Sequence, residues 1–176
     1  MALERPRPME AGDVALAASF ECGGAVLDEW LRRYAWQNHN SGGARVFVAI
    51  DRAADRIAAF YCLSAAEIGY AEAPARISKG MARHPIPAVL IGRLAVDRRY
   101  HGQNLGRFIV RDALLRIVET ADVVGVRAIA VQAKDDRAAE FYRGLGFEKS
   151  ASAPRMFFML VKDAKKSLAA ASRPDN

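Results

Sequence analysis

Apolar and polar positions divide the chain into segments of two different periods. Val26, Leu27, Trp30, Leu31 and Tyr34 recur at helical spacing within Ala25–Asn38, predicting an amphipathic helix with Arg32 and Arg33 toward solvent. Cys22-Gly23-Gly24 precedes it, Ser41-Gly42-Gly43 ends it, and residues 1–16 read as a loose start. Arg45–Ile50 and Arg56–Leu63 read as strands joined by a turn at Asp51–Asp55, with a further strand beginning near Ser64 and ending by Tyr70. Pro74, Gly80, Pro85 and Pro87 then fragment residues 71–87 into a long connection. Ala88–Val96 is nearly all apolar, as a central strand covered on both faces requires. Leu105, Ile109, Ala113 and Ile117 form one stripe, with Val110, Leu114 and Val118 beside it, which predicts a helix over Leu105–Val118. Val126–Val131 is the next strand and Asp135–Arg143 a short helix closed by Gly144 or Gly146. Phe147 and Met156–Val161 supply the closing strands. This order predicts an α/β (α+β) mixed sheet with helices on its faces. One domain over residues 1–161 is expected, followed by a basic, flexible tail over 162–176.

Composition narrows this picture. A chain of 176 residues is long enough to bury roughly two-thirds of its unfolded surface. Its longest apolar runs fall well short of the roughly 20 residues that span a bilayer, and the first residues lack the apolar core of a signal peptide. A cytoplasmic protein is expected, with Cys22 and Cys62 as free thiols. The scattered histidines and cysteines have no metal-ligand spacing, so no metal is expected. Cys22 has no identifiable basic partner that would make it a nucleophile.

The 26 Lys and Arg against 20 Asp and Glu leave a net charge of +6, which favours acidic partners. The basic residues fall into small groups: Arg32 and Arg33; Arg76, Lys79 and Arg83; Arg93, Arg98 and Arg99; and Lys162, Lys165 and Lys166. Such groups build either one positive face for nucleic acid or a scattered, solvated surface.

The polar stretch Arg98–Arg107, between a strand and a helix, has the form of a phosphate-binding turn, because it aims the backbone N–H groups of a helix start at whatever lies in front. His101 is equally readable as a phosphate contact or a plain turn residue. Gly92-Arg-Leu-Ala-Val-Asp-Arg-Arg-Tyr-His-Gly-Gln-Asn-Leu-Gly-Arg107 resembles the acetyl-coenzyme A binding segment of the GNAT N-acetyltransferase family. Asp135-Asp-Arg-Ala-Ala-Glu-Phe-Tyr-Arg-Gly-Leu-Gly-Phe147 resembles the second signature of the same family. The resemblance covers residues 20–161 and implies a mixed, mostly antiparallel central sheet flanked by helices. It implies that Leu94, Ala95 and Val96 offer backbone groups to the pantetheine and the acetyl carbonyl. His101, Gly102, Gln103, Asn104, Leu105, Gly106 and Arg107 would wrap the pyrophosphate. Asn104 stands where the family usually has glycine, and Asn is the non-glycine residue that best tolerates left-handed backbone. Tyr142 is the implied catalytic residue, its phenol protonating or stabilising the departing thiolate. Glu67, Glu72 and Glu140 read as solvated surface, which leaves no general base.

Phe20-Glu-Cys-Gly and Leu27-Asp-Glu-Trp-Leu-Arg-Arg-Tyr-Ala, taken with Gly92–Tyr100, are similar to the acetyltransferase toxins of type II toxin–antitoxin systems. That resemblance implies acetylation of the α-amine of aminoacyl-tRNA, a block in translation, a ribbon-helix-helix antitoxin partner, operator DNA bound through the antitoxin complex, and a homodimer. Arg32, Arg33, Arg76, Lys79, Arg83 and Arg93 are the candidate tRNA contacts. The alternatives are an N-acetyltransferase for a small amine, polyamine or protein amine, and a coenzyme-binding regulator without turnover.

Overall fold

The computed structural model describes residues 2–172. In chain order the elements are β1 (Arg7–Pro8), α1 (Asp13–Ala17), α2 (Ala25–Arg33), α3 (Ala35–Ser41), β2 (Arg45–Asp51), β3 (Arg56–Ile68) and α4 (Ala75–Ser78). They continue with β4 (Ile86–Val96), α5 (Leu105–Ala121), β5 (Ala128–Gln132), α6 (Asp136–Gly144), β6 (Glu148–Lys149), β7 (Met156–Leu160) and α7 (Val161–Ala171). The strands form a mixed sheet of order β1-β2-β3-β4-β5-β7-β6. β4 and β5 pair in parallel from Ala88↔Ala128 to Ile91↔Val131, while β1–β2, β2–β3, β5–β7 and β6–β7 are antiparallel.

The chain divides into two compact units, one made of residues up to Ser64 with Gly92–Ala113, the other of Ala65–Ile91 with the chain from Leu114 onward. In the first unit, Val46–Ile50 of β2 and Ile57–Cys62 of β3 are buried without alternation, the signature of strands covered on both faces. Phe60 anchors the core, stacked on Trp30 of α2 at 5.9 Å and meeting Phe20 edge-on at 5.4 Å. In the second unit Ile68, Ile77, Ile86, Ala130, Phe158 and Leu160 form the apolar cluster.

Several expectations are corrected. The helix expected over Ala25–Asn38 is two helices that part at Tyr34, whose φ/ψ of −119°/−22° leaves the α2 path. Trp30 and Leu31 face the core, but Val26 is 80% exposed and Tyr34 lies largely in solvent. The loose start contains β1 and α1, tied down where Arg7 donates two 2.8 Å hydrogen bonds to the buried Asp13. The two strands expected on either side of Ser64 are one continuous strand, β3. In the 71–87 connection, Pro74 starts a single helical turn, α4, and Gly80 at φ +79° follows it. The stretch expected to be a flexible tail is helical through Ala171, because Val161, Ala164 and Leu168 supply a buried stripe. Residues 173–176 of that tail lie outside the described residues.

Candidate active site

The turn between β4 and α5 is built in the first unit around Asp97, which is fully buried. Its carboxylate accepts from the Arg99 backbone N–H (3.0 Å), from Arg99 Nε (2.8 Å) and Nη2 (2.5 Å), and from the Glu21 backbone N–H (3.0 Å). Burial pushes this carboxyl up, but the Arg99 guanidinium and the two N–H groups outweigh it and hold the group below the ordinary range. Arg99 reaches on to the Ser19 carbonyl at 2.7 Å, and Arg98 pairs with Glu21. Tyr100, which is buried, donates to Asp51 at 2.9 Å. Asp51 also accepts from the backbone N–H groups of Ala2 and Ala53, each at 3.1 Å.

This bracing sets the path of the candidate phosphate-binding residues. Gly102 has φ +77° and Asn104 φ +59°, so Asn104 adopts the left-handed backbone expected of it. The first bond of α5 runs from Phe108 N–H to Asn104 O at 3.2 Å, which makes Asn104 the cap. The N–H groups of Leu105, Gly106 and Arg107 are therefore left without intrahelical acceptors, at the positive end of a 17-residue helix. Gly102, Gln103, Asn104 and Arg107 are exposed, and Leu105 is buried. His101 Nε2 lies 2.8 Å from the Val96 carbonyl, a contact that engages the imidazole with its own turn. Ala95 is buried, with Leu94 and Val96 partly so.

Tyr142 lies on α6 in the second unit. Asp135 starts this helix by accepting the Ala138 N–H at 2.8 Å, and the Tyr142 carbonyl closes it by accepting from Leu145 and Phe147, both at 3.1 Å. The Tyr142 ring is 6% exposed and meets Phe141 and Phe147 edge-on at 5.3 and 5.7 Å. Among the described residues no hydrogen bond engages its hydroxyl, and no fully enclosed side-chain oxygen lacks a partner, so the hydroxyl is not completely sealed from solvent. Burial alone pushes this phenol up to about 12. It is therefore a hydrogen-bond donor throughout the physiological range.

The candidate RNA contacts fall in both units. In the first, Arg93 lies over the Trp30 ring at 4.5 Å and also contacts Cys62, whose thiol burial pushes up. Arg32 donates to the Phe20 carbonyl at 2.9 Å, and Arg33 pairs with Glu29 at 3.4 Å. In the second unit Arg76 pairs with Asp163 of α7 at 2.9 Å, while Lys79 and Arg83 are exposed. Arg127, which sequence reasoning missed, ties their segment down by donating to the carbonyls of Ile77 (3.1 Å), Lys79 (3.1 Å) and Arg76 (3.5 Å). The Tyr100–Asp51 bond was also missed, since nothing local signals a pairing between residues 49 apart.

Glu67 and Glu72 are exposed, and Glu140 pairs with Arg143. Among the described residues no group of His, Cys, Asp or Glu could hold a metal ion, and no helix is long and apolar enough to cross a membrane.

A family model described as an acetyltransferase (GNAT) domain matches residues 42–149. The tRNA-acetylating toxin of Mycobacterium tuberculosis is 40% identical over 158 residues, covering 90% of this chain and 93% of the relative. Among solved structures, a mutant of KacT has a TM-score of 0.88 at 21% identity, covering 95% of this chain and 99% of its own. AtaT complexed with acetyl-methionyl-tRNA has a TM-score of 0.84 at 24% identity, covering 94% and 98%. At these identities the two structures share the fold described above.

Proposed function

The chain belongs to the acetyltransferase (GNAT) family, and from that premise we propose that it is a toxin that transfers acetyl from acetyl-coenzyme A to the α-amine of aminoacyl-tRNA. The observation that carries the substrate is the 40% identity, across 90% of this chain, with a relative named for acetylating tRNA. The exposed cations and the net charge of +6 agree with a polyanionic substrate.

The N–H groups at the start of α5 receive the pyrophosphate, and backbone groups of Leu94, Ala95 and Val96 hold the pantetheine and polarise the acetyl carbonyl. The neutral α-amine attacks that carbonyl, a C–N bond forms, the C–S bond breaks, and the amine gives up a proton as coenzyme A leaves as thiol. Tyr142 faces the sulfur in this reading, and its raised pKa of about 12 defines what it does. An ordinary thiol titrates at about 8.5, so outright proton loss from this phenol to the thiolate is uphill by about 5 kcal/mol. Tyr142 therefore stabilises the leaving sulfur by donating a hydrogen bond, and the proton that completes the thiol comes from the attacking ammonium. An α-amine bearing an ester is less basic than lysine, so a dedicated base is dispensable. Arg32, Arg33, Arg76, Lys79, Arg83 and Arg93 position the RNA.

The partners follow the same reading: a ribbon-helix-helix antitoxin, operator DNA bound through the complex, and a homodimer acting in the cytoplasm. Radiolabelled acetyl-coenzyme A incubated with the protein and charged tRNA tests the substrate. Label in the RNA fraction, released when the aminoacyl ester is hydrolysed, is the expected result. Label appearing only on polyamines or protein lysines would overturn the reading.

A further inference from the structure

α7 presents Lys162, Lys165 and Lys166 at i, i+3 and i+4, hence on one side, while Val161, Ala164 and Leu168 are buried on the other. The Arg76–Asp163 ion pair joins α4 to α7. Arg127, at the start of β5, donates to the carbonyls at the end of α4, and it lines a cavity of about 240 Å3 together with Lys162 and Lys165. These contacts bring Arg76, Lys79, Arg127, Lys162 and Lys165 onto one contiguous surface of the second unit. Asp163 and Asp122 offset two of the cations, at Arg76 and Lys165. Lys79, Lys162 and Lys166 have no ion-pair partner among the described residues. Like charges gathered on a folded surface repel one another, a cost that a polyanion bound across them reverses.

We propose that Lys79, Lys162 and Lys166, held together by Arg127 and by the Arg76–Asp163 pair, form a binding surface for the phosphate backbone of RNA. The surface lies at the start of β5, whereas Arg143, next to Tyr142 on α6, meets the Phe157 ring at 5.7 Å, and Phe157 pairs with Val131 near the far end of the strand. The four steps from Ala128 to Gln132 of β5, at ~3.3 Å each, put about 13 Å between the two ends. A group acetylated near Tyr142 cannot itself reach the lysines, so their ligand is a remote part of an extended molecule. Point-charge ammonium groups spread over separate elements suit a phosphate chain that follows the surface. This rests on the RNA-substrate reading above and extends the contact set to α7.

The test is binding of uncharged tRNA to the full chain, followed by fluorescence anisotropy over a range of salt concentrations. In the double variant Lys162→Glu, Lys166→Glu, Kd is expected to rise about tenfold or more at low salt, and the slope of log K against log salt to flatten by about 1.4–1.8. The KM for acetyl-coenzyme A and the rate with a small aminoacyl ester should stay unchanged. A triple variant, Lys79→Ala, Lys162→Ala, Lys166→Ala, gives the same direction without reversing charge, should the first fail to fold. Unchanged Kd and slope in a folded variant would overturn the proposal, including the case in which the surface serves an acidic protein partner. A wild-type protein that binds tRNA with the steep slope yet leaves charged tRNA unacetylated would instead defeat the substrate reading and leave this surface standing.

Discussion

In the turn between β4 and α5, nearly every polar side chain is tied to a neighbour within a few residues or across the first unit. The segment that carries Arg76, Lys79 and Arg83 is held mainly by Arg127 and Asp163, and its cations otherwise face solvent. Asp97 alone accepts four hydrogen bonds, whereas Lys79 contributes a backbone carbonyl and leaves its ammonium group open. The difference matches two tasks. A pyrophosphate is compact, and its recognition needs N–H groups fixed in direction. A nucleic-acid backbone is long and repetitive, and mobile charges bind it through counterion release with little demand on geometry.

Substitutions in the two regions should therefore act on different substrates. The largest effect is expected at Asp97. Asp97→Ala leaves the Glu21 N–H without its acceptor and the Arg99 guanidinium with only the Ser19 carbonyl, which should cost about 2–4 kcal/mol of stability. It should also raise the KM for acetyl-coenzyme A more than tenfold while leaving tRNA affinity nearly unchanged, as denaturation and steady-state kinetics would measure. An equal loss of tRNA affinity would break the contrast. Next, Tyr142→Phe should lower kcat about 100-fold, with both KM values within about a factor of two of wild type if the hydroxyl acts only on the leaving sulfur. A smaller effect is expected at Asn104. Asn104→Ala places a Cβ without a compensating polar group at φ +59° and should cost about 1 kcal/mol, read as a rise in acetyl-coenzyme A KM, while Asn104→Gly should be nearly neutral.

The gentlest prediction concerns pH. The acid form of Tyr142 is the working form, and burial pushes its pKa up to about 12. Deprotonation of this phenol therefore produces no falling limb in the working range. The rate should instead rise as the substrate α-amine loses its proton, over about pH 6–8, and stay level to about pH 9. A fall that begins near pH 8.5 and disappears in Tyr142→Phe would show that the phenol titrates far lower than burial dictates.

The contrast also explains what could be read from residue order. Asn104 at a left-handed position and the buried stripe of α5 follow from short-range rules of backbone sterics and periodicity. Tyr142 followed from resemblance, since no periodicity marks a phenol as catalytic. By sequence α7 reads as a tail because seven of its eleven residues, VKDAKKSLAAA, are lysines and alanines. Alanine buries as readily as it solvates, and only the packing of Ala164 and Leu168 decides the matter. Arg127 and the Tyr100–Asp51 bond join residues about 50 positions apart, a separation over which no local rule operates. The donor turn was thus largely legible and the basic segment's scaffold was not.

In the proposed reaction acetyl reaches the α-nitrogen of an amino acid esterified to tRNA. Nuclease digestion of charged tRNA after incubation with the protein and acetyl-coenzyme A, followed by mass spectrometry of the terminal aminoacyl-adenosine, locates the group directly. Acetyl is expected on that α-nitrogen, in an amount reduced about 100-fold by Tyr142→Phe at early times. An unmodified aminoacyl-adenosine, with acetyl found elsewhere or with acetyl-coenzyme A unconsumed, would contradict it.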